Sequence, residues 1–347
     1  MKMFFIFCIF LIVIYAAGYL GAFLKKEQPY QFGDRAHTNT LKGFAILLVI
    51  WAHCGADMGV GGIQFVAGAG VAVFLVCSGY GLMCSCKKSG LSFFWRKRLL
   101  RVIVPCWIVN FLLQVYEKDY SVSRFIASIL LKGSNWFVLY IIICYILFWC
   151  IRRFCEEKKL SDQKMAGMIT IAFMIWFVIE SCFFPNKGMP FLEARQMLSF
   201  PLGIGIAVWK EDIIEIWNRV KEKKHGTLIL VTTAFTLAAA GGAGQIMAQS
   251  GFIEALPYVL SNILYLIVDL LLACAVLIIS VIWKRLFVNL FLQKAGEAAY
   301  ELFLLHLPFI YRIEDMESMV FNGVLLTVFA SGLRFIDRKI FSFIGKR

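Results

Sequence analysis

Apolar residues run along this chain in long blocks, and the short segments between the blocks collect most of its charge. A helix needs roughly 18 or more apolar residues to cross about 30 Å of hydrocarbon. Blocks of this kind lie at 3–24, 41–58, 63–85, 99–117, 134–151, 165–184, 197–210, 226–248, 257–283, 296–311 and 317–336, the seventh and tenth being the shortest. The pattern predicts an all-α fold, a polytopic transmembrane bundle of eleven helices. No Pro- or Ser-rich linker and no internal repeat divides it, and no loop is long enough to form a soluble domain.

The charges predict an orientation. Segments 25–42, 86–101, 152–164, 210–225, 284–294 and 334–347 hold most of the 35 Lys and Arg, and short loops rich in these residues stay on the cytoplasmic side. The amino terminus is expected outside and the carboxyl terminus inside. Composition agrees: 61% of the 347 residues are hydrophobic and 16% charged, too little polar surface to clothe a soluble globule. The formal net charge of +13 sits at helix ends as a topology signal, so no nucleic-acid partner is expected.

The first block resembles a signal peptide, with Lys2 before an apolar stretch that reaches Ala16, Ala17 and Gly18. It continues through Leu24 to the Lys25–Lys26 pair, which reads instead as the anchor of a retained helix. The 11 cysteines are scattered without a CxxC pair, Cys84 and Cys86 read as packing residues, and no metal site is expected. Gly59, Gly61 and Gly62 suit a tight turn between the second and third helices, and Gly241, Gly242 and Gly244 suit close packing of the eighth.

Ionisable side chains at membrane depth are costly, so each is a candidate for function. Lys42 opens the second helix and His53 lies eleven residues on. That spacing is about 1100° of turn and about 16 Å of rise, which places both on one face. A cation at the mouth and an imidazole partway across suit a channel that holds a long anionic molecule by its tail and reacts at its tip. Coenzyme A has that shape. The plainer readings are a snorkelling lysine and a structural histidine bonded between helices.

Arg98 and Arg101, three apart at the start of the fourth helix, face the same way as a phosphate clamp needs. A topology signal explains the cluster equally well, but not why Arg101 lies inside the apolar run. The tenth helix carries Glu301 and His306 on different faces. Glu180 and Asp269 are further intramembrane acids, each suited either to pairing with a buried cation or to orienting an imidazole.

These residues resemble the signatures of the membrane-bound acyltransferase-3 family. Lys42-x10-His53 is similar to its [Arg/Lys]-x10-His motif, and Arg98-x-x-Arg101 followed by Pro105 to its second basic motif. Phe74 to Tyr80, containing Ser78-Gly79-Tyr80, and Asn135 to Leu139, containing Trp136-Phe137, resemble two further family segments. Arg195 to Gly205 and the closing helix Tyr300 to Pro308 extend the likeness over roughly residues 36–340.

The resemblance implies a ten-helix core at 36–347 that takes acyl-CoA from the cytoplasm and acylates an acceptor at or beyond the outer face. Residues 1–35 then form an additional helix and loop. It implies Lys42, Arg98 and Arg101 as binders of the donor, His53, Glu301 and His306 as catalytic candidates, and Tyr80, Trp136 and Tyr300 as substrate-binding candidates. The donor is a substrate, acetyl-CoA by economy, with no tightly bound cofactor. The other partners are the lipid bilayer, in a bacterial cytoplasmic membrane, and a surface or lipid-linked glycan.

This chain has Lys42 where many members have Arg, and Ala299 where Ser is common. It lacks the Glu that some members carry after the Trp motif, which places it nearer the glycan-acetylating branch. His53 is expected to act as a general base on the acceptor hydroxyl or as a nucleophile that carries the acyl group, and both roles need a neutral imidazole. The rival class is a transporter or flippase for a lipid-linked or anionic solute, using the same buried ions without covalent chemistry.

Overall fold

A computed structural model describes residues 2–27, 29–57, 66–131, 136–184, 192–249, 251, 256–310, 313 and 315–345. Helices form at α1 (Lys2–Leu24), α2 (Arg35–Asp57), α3 (Val66–Ser89), α4 (Phe94–Tyr116), α5 (Val122–Ile129), α6 (Trp136–Glu157) and α7 (Asp162–Phe183). They continue with α8 (Ser199–Val208), α9 (Lys210–Glu222), α10 (Gly226–Gln249), α11 (Tyr258–Ile282), α12 (Leu290–Glu297), α13 (Ala299–Ile310) and α14 (Met316–Gly345). Each of the eleven apolar blocks coincides with a helix, and no strand occurs among the described residues.

Among the described residues seven helices, α3, α4, α6, α7, α10, α11 and α14, are long and apolar enough to cross a membrane. The chain is a multi-pass membrane protein. The faces of α7 show why water is the wrong solvent. Met165, Ile169, Phe173 and Phe177 are buried at a four-residue spacing, yet Ile171, Ile175 and Val178 stand exposed on the other side. A soluble helix would carry polar residues there.

The core is built around α3, which packs against α2, α8 and α11. The short α8 and α13, at about 1.5 Å per residue, do not cross the bilayer alone and are held inside the bundle. α12, absent from the apolar blocks, is capped by Asn289, whose side chain accepts from the amides of Phe291 (2.9 Å) and Leu292 (3.2 Å). That buried side chain also donates to the carbonyl of Tyr15 at 2.8 Å, tying α12 to α1. α12 then crosses α2 backbone on backbone. A Cβ on Gly43 would lie 1.9 Å from the Leu292 carbonyl, and one on Gly296 1.7 Å from that of Asn39, so only glycine allows this approach.

Gly241 and Gly244 meet Leu272 and Val268 at the crossing of α10 with α11, as close packing requires, whereas Gly242 has open space around it. The turn residues Gly59, Gly61 and Gly62 lie outside the described residues.

Candidate functional site

Three helices bring cations to one cavity of about 530 Å³. α2 contributes Arg35 and Lys42, α4 contributes Arg98 and Arg101, and α14 contributes Arg334 and Arg338; Glu297, Glu301 and Asp337 are the acids in the wall. Glu297 is already committed, with Arg334 at 2.6 Å, Arg338 at 3.6 Å and Lys294 at 3.7 Å. Arg35, Lys42, Arg98 and Arg101 have no ion-pair partner among the described residues. Several unpaired cations around one recess make a site for a multiply charged anion.

The two arginines of α4 are braced by rings. The Arg98 guanidinium carbon lies 5.6 Å from the Phe94 ring and 5.4 Å from the Tyr145 ring, and that of Arg101 lies 4.7 Å from Phe341. Such cation–π contacts hold the guanidinium while leaving its N–H edge free for an anion.

Local sequence sets where those arginines point. Pro105 has no amide hydrogen, and its ring crowds the carbonyl four residues earlier, that of Arg101. Residues Leu99–Ile103 wind as a π-turn, with the Val104 amide bonding back to the Leu99 carbonyl. This wider turn relieves the crowding and rotates Arg101 relative to Arg98. The Tyr300 hydroxyl donates to the Val102 carbonyl within the turn at 2.7 Å. Tyr300, a substrate-binding candidate by sequence, lines the cavity but spends its hydroxyl on the backbone that carries the arginines.

The inner end of the cavity is aromatic. Phe74, Phe137 and Phe303 line it, with ring centroids 6.5 Å apart for Phe74–Phe137 and 4.8 Å for Phe137–Phe303. Phe303 also contacts His306, at 5.4 Å between centroids, and His306 faces His53 at 5.2 Å. The histidine pair therefore lies one ring beyond the charged recess.

The two imidazoles differ. His306 is 1% exposed, and its Nδ1 lies 2.6 Å from the Phe303 carbonyl. A carbonyl only accepts, so Nδ1 carries the hydrogen and Nε2 of the neutral ring keeps a lone pair. Nε2 is buried with no hydrogen-bond partner among the described residues. His53, by contrast, is exposed.

The remaining candidates are placed elsewhere. Glu301 lines the cavity with Lys42, separated from His306 along α13. Trp136 stands at the start of α6, 6.0 Å from the rings of both Phe137 and Tyr140, at the edge of the aromatic layer. Tyr80 is buried and does not line the cavity; its hydroxyl packs against Gly33, where a Cβ would come within 1.9 Å. Asp269, fully buried, receives two bonds from Arg195, at 2.7 and 3.1 Å, and one from Gln196 at 2.8 Å. Glu180 accepts from the Trp176 indole at 3.0 Å. Neither acid orients an imidazole here.

Arg35, Arg334, Arg338 and Asp337 were not foreseen as site residues. Their signal was present as charge at helix ends, but a topology determinant and a ligand-binding cation look the same in sequence. No group of three or more His, Cys, Asp or Glu that could hold a metal ion occurs among the described residues.

A cationic recess one aromatic layer from a histidine pair is an arrangement that would suit transfer of a group carried on an anionic donor. No curated protein and no solved structure matches the chain. The model of a family described as an acyltransferase domain matches residues 38–336, most of the chain, and the protein belongs to this membrane acyltransferase-3 family.

Proposed function

We propose that this acyltransferase moves an acyl group, acetyl by economy, from cytoplasmic acyl-CoA to a hydroxyl of a surface polysaccharide or other envelope glycan in a bacterial cytoplasmic membrane. The observation that carries this reading is the succession of a cationic cavity, an aromatic layer and a histidine pair.

Lys42, Arg98, Arg101 and Arg35 bind the phosphates of the donor, and the thin arm that carries the thioester passes Phe74, Phe137 and Phe303 toward His53. The rise of about 16 Å from Lys42 to His53 along α2 is of the order such an arm spans.

His53, being exposed, is the imidazole an acceptor can reach. It takes the proton of the acceptor hydroxyl as the oxygen attacks the thioester carbonyl carbon. The tetrahedral intermediate then collapses, the carbon–sulfur bond breaks, and the leaving thiolate recovers the proton from His53. His306, held by the Phe303 carbonyl, packs beside His53, and its Nε2 lone pair is available to hold a proton next to the reacting centre.

The test is transfer of label from acetyl-CoA to the glycan by membranes that carry the wild type or His53→Ala. Incorporation by the wild type and its loss in a correctly inserted variant is the expected result. Near wild-type transfer by His53→Ala would overturn the assignment of His53, and label on no glycan acceptor would overturn the glycan reading.

A further inference from the structure

Two side chains in the wall of the cationic cavity have polar atoms that meet nothing. Both carboxylate oxygens of Asp337, and Nε of Arg98, are buried without a hydrogen-bond partner among the described residues. Nearly all buried polar atoms in folded proteins are paired, and an unpaired charged group is the costliest exception. Glu297 in the same wall illustrates the usual solution, since it gathers three cations. Asp337 has gathered none.

The surroundings of Asp337 say what it would pair with. Phe341 lies one turn further along α14, and residues four apart share a helix face. Its ring has Arg101 on one side at 4.7 Å, and both residues line the cavity. A carboxylate acceptor, a flat ring and a phosphate-binding cation thus stand together. That trio matches a flat heterocycle bearing an amine, attached to a phosphate.

We propose that Asp337 and Phe341 form the nucleobase subsite of the donor, with Asp337 accepting an N–H from the exocyclic amine of an aminopurine. This rests on the reading that the cavity takes acyl-CoA. The carboxylate oxygens gain their missing donor, and Arg98 and Arg101 lie beside the phosphates of the same nucleotide. A 6-oxopurine places a carbonyl where the amine would be, so that two oxygen acceptors face each other and repel. The subsite selects adenine over hypoxanthine.

The experiment uses the full chain in detergent and measures binding of coenzyme A, adenosine 3′,5′-bisphosphate and inosine 3′,5′-bisphosphate by calorimetry. The wild type is expected to bind the adenosine compound about tenfold more tightly than the inosine compound, or better, as one hydrogen bond to a charged acceptor provides. In Asp337→Asn, whose amide donates as well as accepts, the preference is lost or reversed. Equal binding of the two bisphosphates by the wild type would overturn the subsite, and so would a preference that Asp337→Asn keeps. Either result, with coenzyme A still bound, leaves the acyl-CoA reading standing. Failure of the wild type to bind coenzyme A overturns both. Should Asp337→Asn fail to fold, the wild-type comparison of the two bisphosphates decides by itself.

Discussion

His53 of α2 and His306 of α13 meet with their ring centroids 5.2 Å apart, although they come from opposite ends of the chain. Among the described residues, His306 alone of the two is fixed by a backbone carbonyl, through Nδ1. This asymmetry predicts different consequences for the two. His53→Ala should lower kcat by about 10²-fold or more, the usual contribution of a positioned base. His306→Gln should lower kcat less, leave the donor KM unchanged and alter the pH profile of kcat, because it removes a basic nitrogen beside the base. Steady-state kinetics across pH distinguish this from a packing role, which would change kcat without altering the profile.

The cations of the cavity should act on donor binding rather than on chemistry. Arg98→Ala or Arg101→Ala should raise the donor KM about tenfold or more, the loss expected for a charge-assisted bond to phosphate. Lys42→Arg should retain activity, since either residue meets phosphate, as a point charge or as a fork. Donor KM measured at two salt concentrations checks the cause: removing a phosphate contact also weakens the salt dependence. A fall in kcat at saturating donor, with KM unchanged, would place these residues elsewhere in the reaction.

Much of this was legible in the sequence, and the reasons divide cleanly. The eleven helical blocks were readable because hydrocarbon imposes a length and an apolar composition on whatever crosses it. α5, α9 and α12 were not, because their 8 to 13 residues are short or amphipathic and leave no such block. Lys42, Arg98 and Arg101 were found by spacing, and the structure brings them to one cavity. The spacing did not show that a π-turn lies between the two arginines, though Pro105 was its signal. Nor could it pair His53 with His306 or assign Asp269 to Arg195, because those partners are chosen by packing between distant segments.

The hydroxyl of Tyr300 is predicted to matter through α4. Tyr300→Phe removes the bond to the Val102 carbonyl, a loss of about 1 kcal/mol. It also loosens the π-turn that Tyr300 braces, and with it the fixed setting of Arg101 relative to Arg98. The donor KM should rise several-fold while kcat at saturating donor changes little. If Tyr300 contacted the acceptor instead, the acceptor KM would rise and the donor KM would stay. Measuring both constants in one variant decides between them.

The Arg195–Asp269 pair should bear on stability, through the cost of stranding either charge, and be silent in the chemistry. Asp269 is fully buried and accepts two bonds from Arg195 and one from Gln196, while Arg195 also lies over the Tyr265 ring at 4.6 Å. Asp269→Ala strands the arginine charge inside the bundle, at a cost of about 3–5 kcal/mol. Replacing both partners, as in Arg195→Met with Asp269→Leu, removes the stranded charge and should recover much of that loss. Thermal unfolding in detergent measures the stabilities, and transfer per folded molecule measures the rest. The double variant should turn over like the wild type, because neither side chain reaches the cavity or the histidine pair; a catalytic defect that persisted in the refolded double variant would show that the ion pair takes part in transfer.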